Sequence, residues 1–199
     1  MRRLTKNFYE RDALEVAREL IGCLFVHRTD RGAIGVRLVE TEAYRGEQDP
    51  GSHGYRGETA RTRVMFGPPG RLYVYFTYGM HWCANIVCGW EGTCEAVLLR
   101  AGEPVLGTDE MFRRRGVASD RLLAAGPARL AQALGIGKEH NGASLLRGGA
   151  FWCGEDELTH GYRSGEIAES VRVGLGAGKG DDLPWRFSIP GSPYASRRH

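Results

Sequence analysis

The sequence predicts an α+β protein with a single domain, residues 1–199, built on a curved, mainly antiparallel β-sheet with flanking helices and a protruding β-hairpin. The main observation is the stretch 72–87, in which strand-forming residues are interrupted only by Tyr78-Gly79. β-branched and aromatic residues favour strands, and glycine permits the positive φ of a tight turn. The second observation is that many short strand patterns and few helical ones occur along the chain, which favours this class.

The helices and strands can be placed in order. Asp12-Ala13-Leu14-Glu15 resembles a capping box, helically spaced apolar residues follow it, and Gly22 is placed to end that helix. Two further helices are predicted at 109–115 and 127–134, the second with proline at its start and glycine after its end. The tail after residue 190 is expected to run extended over the surface. Strands are predicted at 23–27, 34–41, 72–77, 80–87, 96–100, 151–152, 171–173 and 185–189.

Residues 45–71 form a long segment without a regular pattern, rich in glycine and arginine. A loop of this length inside a compact domain is usually functional or disordered. Its Met65-Phe66 pair is expected to tether it to the core. In the hairpin that follows, the two-residue period places Tyr73, Tyr75 and Thr77 on one face and Val74 and Phe76 on the other.

Composition excludes several classes of protein. Apolar residues make up 42% of the chain and charged residues 26%, as in globular proteins. No stretch approaches the roughly 20 apolar residues of a membrane span. No secretory or transit signal is evident at the start, so we expect a cytoplasmic protein.

The cysteines and basic residues also limit the possibilities. Five scattered cysteines, even with His81 among them, fit no structural zinc spacing, so we expect buried reduced thiols and no metal. The net charge is only +3, and lysine occurs only at Lys6, Lys138 and Lys179. Arginine suits bidentate contacts to phosphate, although arginine-rich usage can equally reflect genome composition. Lys179 lies in a glycine-rich loop that lacks the Ser or Thr of a nucleotide P-loop.

Several blocks of residues, distributed along nearly the whole chain, carry recognisable motifs. They are Val39-Glu40-Thr41-Glu42-Ala43-Tyr44, residues 59–66, Pro69-Gly70-Arg71-Leu72-Tyr73-Val74-Tyr75, Tyr78-Gly79-Met80, Leu98-Leu99-Arg100-Ala101, residues 126–130, Arg172-Val173-Gly174, Arg186-Phe187 and Gly191-Ser192-Pro193. These motifs resemble those of the alkyladenine (3-methyladenine) DNA glycosylase family. The resemblance implies an enzyme of base excision repair that flips alkylated or deaminated purines out of duplex DNA and hydrolyses the N-glycosidic bond. It implies one domain, no cofactor and a monomer, associated with the nucleoid when it acts on DNA.

The same resemblance assigns roles to the residues of a pocket. Glu42 is the expected general base, because a carboxylate can take a proton from water and stabilise a cationic sugar. Arg100 resembles the family's active-site arginine, which supports the water and the neighbouring phosphate, and it would also keep Glu42 ionised if the two side chains are close. Tyr44 and Tyr75 are the expected stacking walls, since electron-poor alkylated purines are attracted to aromatic faces. His53 is expected to close a third side, Asn85 to exclude the amino group of guanine, and the backbone of Val173 to contact the pocket.

A second group of residues is expected to contact double-stranded DNA. Tyr78 at the hairpin tip would fill the gap that a flipped base leaves, as inserted side chains do in minor-groove proteins. Met80 lies beside it, and the phosphate contacts are expected from Arg61, Arg63 and Arg71, although any of these arginines can instead brace the loop. Such contacts make binding salt-dependent.

The lysine positions bear on the type of glycosylase. A bifunctional enzyme needs an amine to form a Schiff base with the sugar, and no lysine lies between Lys6 and Lys138. We therefore predict base removal without strand cleavage. Two alternatives stay open at this point: a non-catalytic nucleic-acid-binding domain, which has no need of an acid beside its tyrosines, and a protein-interaction domain, which leaves Tyr78 and the arginine-rich loop unexplained.

Overall fold

This computed structural model describes residues 1–146 and 148–196 of the chain. In that part of the chain nine strands form one sheet, and all neighbouring strands are antiparallel. The strands are β1 (Arg2–Arg3), β2 (Leu24–Thr29), β3 (Gly32–Arg45), β4 (Leu72–Thr77), β5 (His81–Cys88), β6 (Glu95–Leu106), β7 (Phe151–Glu155), β8 (Ala168–Ser170) and β9 (Arg186–Ser188). The α-helices are α1 (Lys6–Tyr9), α2 (Ala13–Leu20), α3 (Thr108–Arg115), α4 (Pro127–Leu134) and α5 (Glu157–Ser164). These elements confirm the predicted α+β class.

The long strand β3 lies at the centre of the sheet. The strand order is β1-β7-β2-β3-β6-β5-β4, and β9 pairs with both β3 and β8. β3 pairs with β2 up to Arg37 and with β9 from Glu40 onward, while β6 follows its other edge. The register shifts on both sides of Glu40, as at a β-bulge. This bulge marks the place where β3 changes its neighbour.

One face of the sheet carries the main hydrophobic core. α2 and α4 pack there, and the Asp12 carboxylate caps α2 by accepting a hydrogen bond from the Leu14 N–H at 2.8 Å. α4 begins with Pro127 and ends at Gly135 in the left-handed conformation, with the bounds that the sequence predicts. Alternation along the strands points every second side chain into this core, including Ala43, Leu72, Val74, Ala84, Ile86, Val97 and Leu99.

The opposite face carries a smaller apolar cluster and the long loop. The cluster contains Tyr73, Val87 and Ala96 from three strands together with Met65 from the loop. Met65 is almost fully buried, which confirms the predicted tether. Short 3-10 turns at Gly46–Gln48 and Arg63–Phe66 give the loop some regular structure. The loop therefore covers this face, and the hairpin β4–β5 extends beyond it.

Two sequence predictions need correction, and α1, α5 and β1 were not predicted. Asp156 and Thr159 form a capping box at the start of α5. The strand predicted at 171–173 lies instead at Ala168–Ser170, because the buried Arg172 side chain binds the Asp49 carboxylate and the carbonyls of Ala43 and Gly180. The tail does not simply cross the surface, since Ser196 donates two hydrogen bonds to the buried Glu40.

Three remaining features concern membrane-spanning helices, the cysteines and metal sites. Within the described ranges, none of the helices is long and apolar enough to cross a membrane. The five cysteines are all buried and free, as predicted. Among the residues that the structure describes, no three His, Cys, Asp or Glu side chains come together as a metal site.

Candidate active site

The hairpin tip presents two large side chains to solvent. Tyr78 and Gly79 both have positive φ, +50° and +66°, and the Met80 N–H bonds the Thr77 carbonyl at 3.2 Å. These values describe a type I′ turn, which matches the twist of a two-stranded ribbon. Tyr78 is 82% exposed and Met80 69% exposed. Both side chains are therefore accessible from solvent, and both residues stay predicted DNA contacts.

A cavity of about 330 Å³ opens on the sheet face opposite the main core. Period-two alternation builds it, because Tyr73, Tyr75 and Thr77 all point to this face as predicted. Tyr73 and Tyr75 stack with ring centroids 5.6 Å apart. The volume lies in the range of small-molecule sites. The cavity is lined by Tyr44, Gly51, His53, Met65, Tyr73, Tyr75, Thr77, Tyr78, Cys83, Asn85, Leu98, Arg100, Pro127, Val173, Gly174 and Leu175.

Glu42 is fully buried directly behind the residues that line this cavity. Its Oε1 accepts a hydrogen bond from the Val173 N–H at 2.8 Å and lies 3.2 Å from Arg100 Nη1. Its Oε2 accepts a hydrogen bond from the Tyr44 hydroxyl at 3.0 Å. The three partners Val173, Arg100 and Tyr44 all line the cavity, whereas Glu42 does not. The carboxylate is therefore one side chain away from the space where a ligand would bind.

The electrostatics of Glu42 differ from the expectation in one respect. The sequence predicts that Arg100 keeps the carboxylate ionised, and the two side chains are indeed in contact. Burial nevertheless raises the pKa of Glu42, and the charge of Glu40 raises it further, against the opposing effects of Arg100, the Val173 N–H and the Tyr44 hydroxyl. A carboxylic acid with a raised pKa is suited to exchange protons nearer to neutral pH.

Tyr44 and Tyr75 stand as two aromatic walls of the cavity. Burial raises the pKa of both phenols, so each hydroxyl stays protonated and Tyr44 remains a hydrogen-bond donor to Glu42. The ring of Tyr44 is covered from behind by the guanidinium of Arg172, whose Cζ lies 4.6 Å from the ring centroid. Arg61 Cζ lies 5.9 Å from the Tyr75 centroid. Both rings are thus fixed by neighbouring cations.

His53, Asn85 and Val173 all lie at the cavity, as the resemblance predicts. The His53 ring packs edge-on against Tyr75 at 4.6 Å, and its Nδ1 lies 3.0 Å from the Tyr73 hydroxyl. Partial burial and, next, the Arg61 charge lower the pKa of His53, which favours the neutral ring. The Asn85 amide donates to the Tyr73 carbonyl at 3.3 Å. What these residues bind stays a prediction.

The three predicted phosphate contacts have different surroundings. Arg61 is exposed, and its guanidinium lies beside the ring of Tyr75, which lines the cavity. Arg63 is exposed and pairs with Glu58 at 3.2 Å within the loop, whereas Arg71 donates to the Gly142 carbonyl at 2.9 Å. Contact of these three arginines with phosphate stays a prediction.

A second cavity of about 530 Å³ adjoins the first. The two share Thr77, Tyr78, Cys83, Arg100, Pro127 and Val173. The second cavity also reaches the start of α4 at Gly126–Arg129 and the tail at Ser196. Together they form a groove that runs from the hairpin tip to Arg100.

Sequence reasoning missed several residues of this site. Glu40 contacts Arg100 from below, and Tyr73, Cys83 and Leu98 line the cavity. The two-residue period could have found them, since Glu40 alternates with Glu42, Cys83 with Asn85, and Leu98 with Arg100. Pro127 and Leu175 come from distant segments, and no local pattern places them here.

Comparison with known proteins adds the family. The chain is 48% identical over 202 residues to a Chlorobaculum parvum protein, covering 98% of this chain and 91% of the relative. It is 50% identical over 192 residues to a Methanoculleus marisnigri protein, covering 96% and 97%. A Carboxydothermus hydrogenoformans protein is 45% identical over 195 residues, covering 98% and 99%. All three relatives are named "Putative 3-methyladenine DNA glycosylase".

A sequence model of the methylpurine-DNA glycosylase family also matches this chain, over residues 7–193. The matched range includes the hairpin, the long loop, the cavity and the buried carboxylate behind it. The chain therefore belongs to the methylpurine-DNA glycosylase family.

Proposed function

We propose that the protein removes alkylated or deaminated purines, 3-methyladenine among them, from double-stranded DNA by hydrolysis of the N-glycosidic bond. The observation that carries the proposal is the buried Glu42, held by Arg100 and Tyr44 directly behind an aromatic cavity. A mere binding domain gains nothing from burying a carboxylate in that place, since desolvation of a charge is costly. Family membership and the names of the relatives give the substrate class.

In the proposed complex the damaged purine leaves the base stack and enters the cavity between Tyr44 and Tyr75. The exposed Tyr78 takes its place in the duplex, with Met80 beside it. Flipping costs a few kcal/mol of unstacking, and stacking on aromatic rings offsets a cost of that size. Electron-poor alkylated purines gain most from such rings.

The chemical step is a displacement at C1′ of the deoxyribose. The bond from C1′ to the purine nitrogen breaks, and its electron pair leaves with the base. A water oxygen bonds to C1′, and Glu42 accepts the proton that this water loses. Oε2 has spare acceptor capacity beside the Tyr44 hydroxyl, because a carboxylate oxygen can accept two hydrogen bonds.

The proposal includes release of the base alone, leaving an abasic site and an intact strand. In the described residues that line the cavity, none is a lysine. Lys179 is nearer than the sequence argument assumed, because its backbone carbonyl packs against Gly51, which does line the cavity. If purified protein nicks the strand without heat or alkali, this part of the proposal is wrong, and Lys179→Ala tests whether that lysine is responsible.

The experiment that tests the whole proposal measures release of methylated purines from alkylated DNA. We expect activity in the wild type and a loss of about 10²–10⁴-fold in Glu42→Gln. The matched control is Glu95→Gln, which changes a partly buried carboxylate that binds the Ala13 N–H outside the cavity. An inactive wild type that still binds damaged duplex would instead support the non-catalytic alternative, and an active Glu42→Gln would remove Glu42 from the mechanism.

A further inference from the structure

Glu40 is a second fully buried carboxylate, two residues before Glu42 on the same strand face. It lies at the β-bulge of β3, where the strand changes its neighbour from β2 to β9. Its Oε1 accepts hydrogen bonds from Arg100 Nε, Arg186 Nε and Ser196 Oγ, each at 2.7 Å. Its Oε2 accepts one from the Ser196 N–H at 2.6 Å. The proposed reaction gives this carboxylate no role.

The bonds of Arg100 show what Glu40 does locally. Arg100 Nε binds Glu40, Nη1 contacts Glu42 at 3.2 Å and Nη2 donates to Ser196 Oγ at 3.3 Å. All three nitrogens of the guanidinium therefore have a partner. A planar fork with all its nitrogens engaged has one orientation, so the face that Arg100 turns to the cavity is fixed.

The cluster contains four buried charged side chains, and its positive and negative charges are equal in number only because Glu40 is one of them. Arg100 and Arg186 are both almost fully buried, and Glu40 and Glu42 are fully buried. Without Glu40, two guanidiniums face a single carboxylate, and Arg100 loses the partner that holds its Nε away from Glu42. The free guanidinium edge can then turn to bind Glu42 with two nitrogens, as arginine does with carboxylates generally. Glu42 would then be a poorer base.

The end of the chain completes the arrangement. Ser196 supplies two donors to Glu40 and an acceptor to Arg100, and it lines the second cavity together with Arg100. The tail that leads to it is held by the Tyr194 hydroxyl, which donates to Asp120 at 3.1 Å. A segment far away in sequence thus reaches the centre of the site.

We propose that Glu40 is a positioning residue for base release, which holds Arg100 against Glu42 with the help of Ser196. This inference rests on the proposed function. It implies that loss of Glu40 lowers the rate of the chemical step and leaves binding of damaged DNA almost unchanged, because Glu40 itself lines neither cavity. A misplacement of about 1 Å at a catalytic group can cost 10²-fold in rate.

The dependence on pH separates this role from a purely structural one. The charged or titratable groups around Glu42 are Arg100, Glu40, Tyr44, Tyr75 and, on the neighbouring strand β9, Arg186. The negative charge of Glu40 raises the pKa of Glu42. Glu40→Gln removes that charge, so the acid side of the rate–pH profile should move to lower pH. Glu40→Asp keeps the charge and shortens the reach, so it should lose rate without that movement.

The test compares single-turnover base release in full-length variants on a duplex with one damaged purine. We expect Glu40→Gln to lose about 10²-fold in rate while its Kd for the duplex stays within about threefold. The rate should fall about fivefold in Ser196→Ala, and it should fall further in Ser196→Pro, which also lacks the N–H. The control Asp156→Asn removes a carboxylate that pairs with the buried Arg37 in another region, and its rate should stay within about threefold.

A measurement without activity accompanies these rates. Nitrogen-15 NMR should show Nε–H protons of Arg100 and Arg186 that exchange slowly in the wild type and fast in Glu40→Gln. Unchanged exchange, a rate within about threefold of the wild type, or a loss confined to Kd would each overturn the proposal. If Glu40→Gln does not fold, the Ser196 variants decide the matter, and wild-type rates in both would be evidence against it. A wild type without base-release activity refutes the proposed function, and the NMR comparison then still decides whether Glu40 holds Arg100.

Discussion

The buried ion pair of Arg172 with Asp49 should make the fold sensitive to the loss of either partner. Both side chains are 0% exposed. Arg172 donates to the two carboxylate oxygens at 2.5 and 2.8 Å, to the Ala43 carbonyl at 3.0 Å and to the Gly180 carbonyl at 3.2 Å. Its guanidinium also covers the rings of Tyr44 and Trp185. We predict that Arg172→Met strongly destabilises the fold.

The magnitude follows from what the substitution leaves behind. Breaking a buried ion pair on one side typically costs about 3–5 kcal/mol, because the other charge stays buried. Asp49 keeps hydrogen bonds from the Arg45 and Gly51 N–H groups, which favours the lower end. We therefore expect a loss of about 3 kcal/mol in the free energy of unfolding. For a domain of this size that loss lowers Tm by roughly 6–12 °C.

Urea unfolding and thermal melting of the purified variants provide the measurement. The matched control is Arg63→Met, which removes an arginine from an exposed pair and should cost less than about 0.5 kcal/mol. The double variant Arg172→Met with Asp49→Asn removes the stranded charge and should recover at least about 1 kcal/mol. If Arg172→Met costs no more than the control, the reasoning about the buried pair is refuted.

Three further predictions concern the hairpin, acid stability and the thiols. Tyr78→Ala should weaken binding of damaged duplex by about tenfold, as expected for loss of one stacking ring. It should leave Tm unchanged because the ring is exposed. Equal affinity of the two proteins would count against insertion of Tyr78 into the duplex. A hydrogen bond and ion pair with Arg37 hold the pKa of Asp156 well below its usual range, so this pair contributes stability above pH about 4 that is lost as the pH falls. In urea unfolding measured at a series of pH values, Asp156→Asn should therefore lose less stability toward acid pH than the wild type. An equal dependence of stability on pH in the two proteins would contradict this. Burial raises the pKa of Cys23 to about 11 and that of Cys94 to about 12, so both thiols should react with a disulfide reagent only after unfolding; rapid labelling of the native protein would contradict their burial.

Sequence patterns of a few residues correctly predicted the helix α4 and the β4–β5 hairpin. The bounds of α4 follow from its proline and glycine, and the hairpin follows from its strand formers and its turn. The sequence left open whether Glu42 and Arg100 are close, and the structure brings the two side chains together. Only α4 and the hairpin carry their structural information within a few neighbouring residues.

The parts that sequence reasoning missed depend on distant partners. The strand predicted at 171–173 has the right residues for a sheet, but the pairing of Arg172 with Asp49, far away in sequence, removes it from the ladder. The tail looked like an exposed segment, since nothing near Ser196 indicates that Glu40 will accept its two donors. α5 could have been found, because the capping box at Asp156 is visible in the sequence. The failures are thus mostly failures to pair charges across the fold.

The division of the sheet into a core face and a cavity face has a consequence for how this protein can change. In β3 the odd-numbered Ala43 packs into the core, while the flanking Glu42 and Tyr44 serve the cavity. Deleting a single residue between the bulge and Ala43, such as Thr41, would exchange the two roles and turn a carboxylate toward the hydrophobic interior. The number of residues between the bulge and the cavity is therefore fixed. Insertions and deletions should therefore be confined to the loops that border the groove.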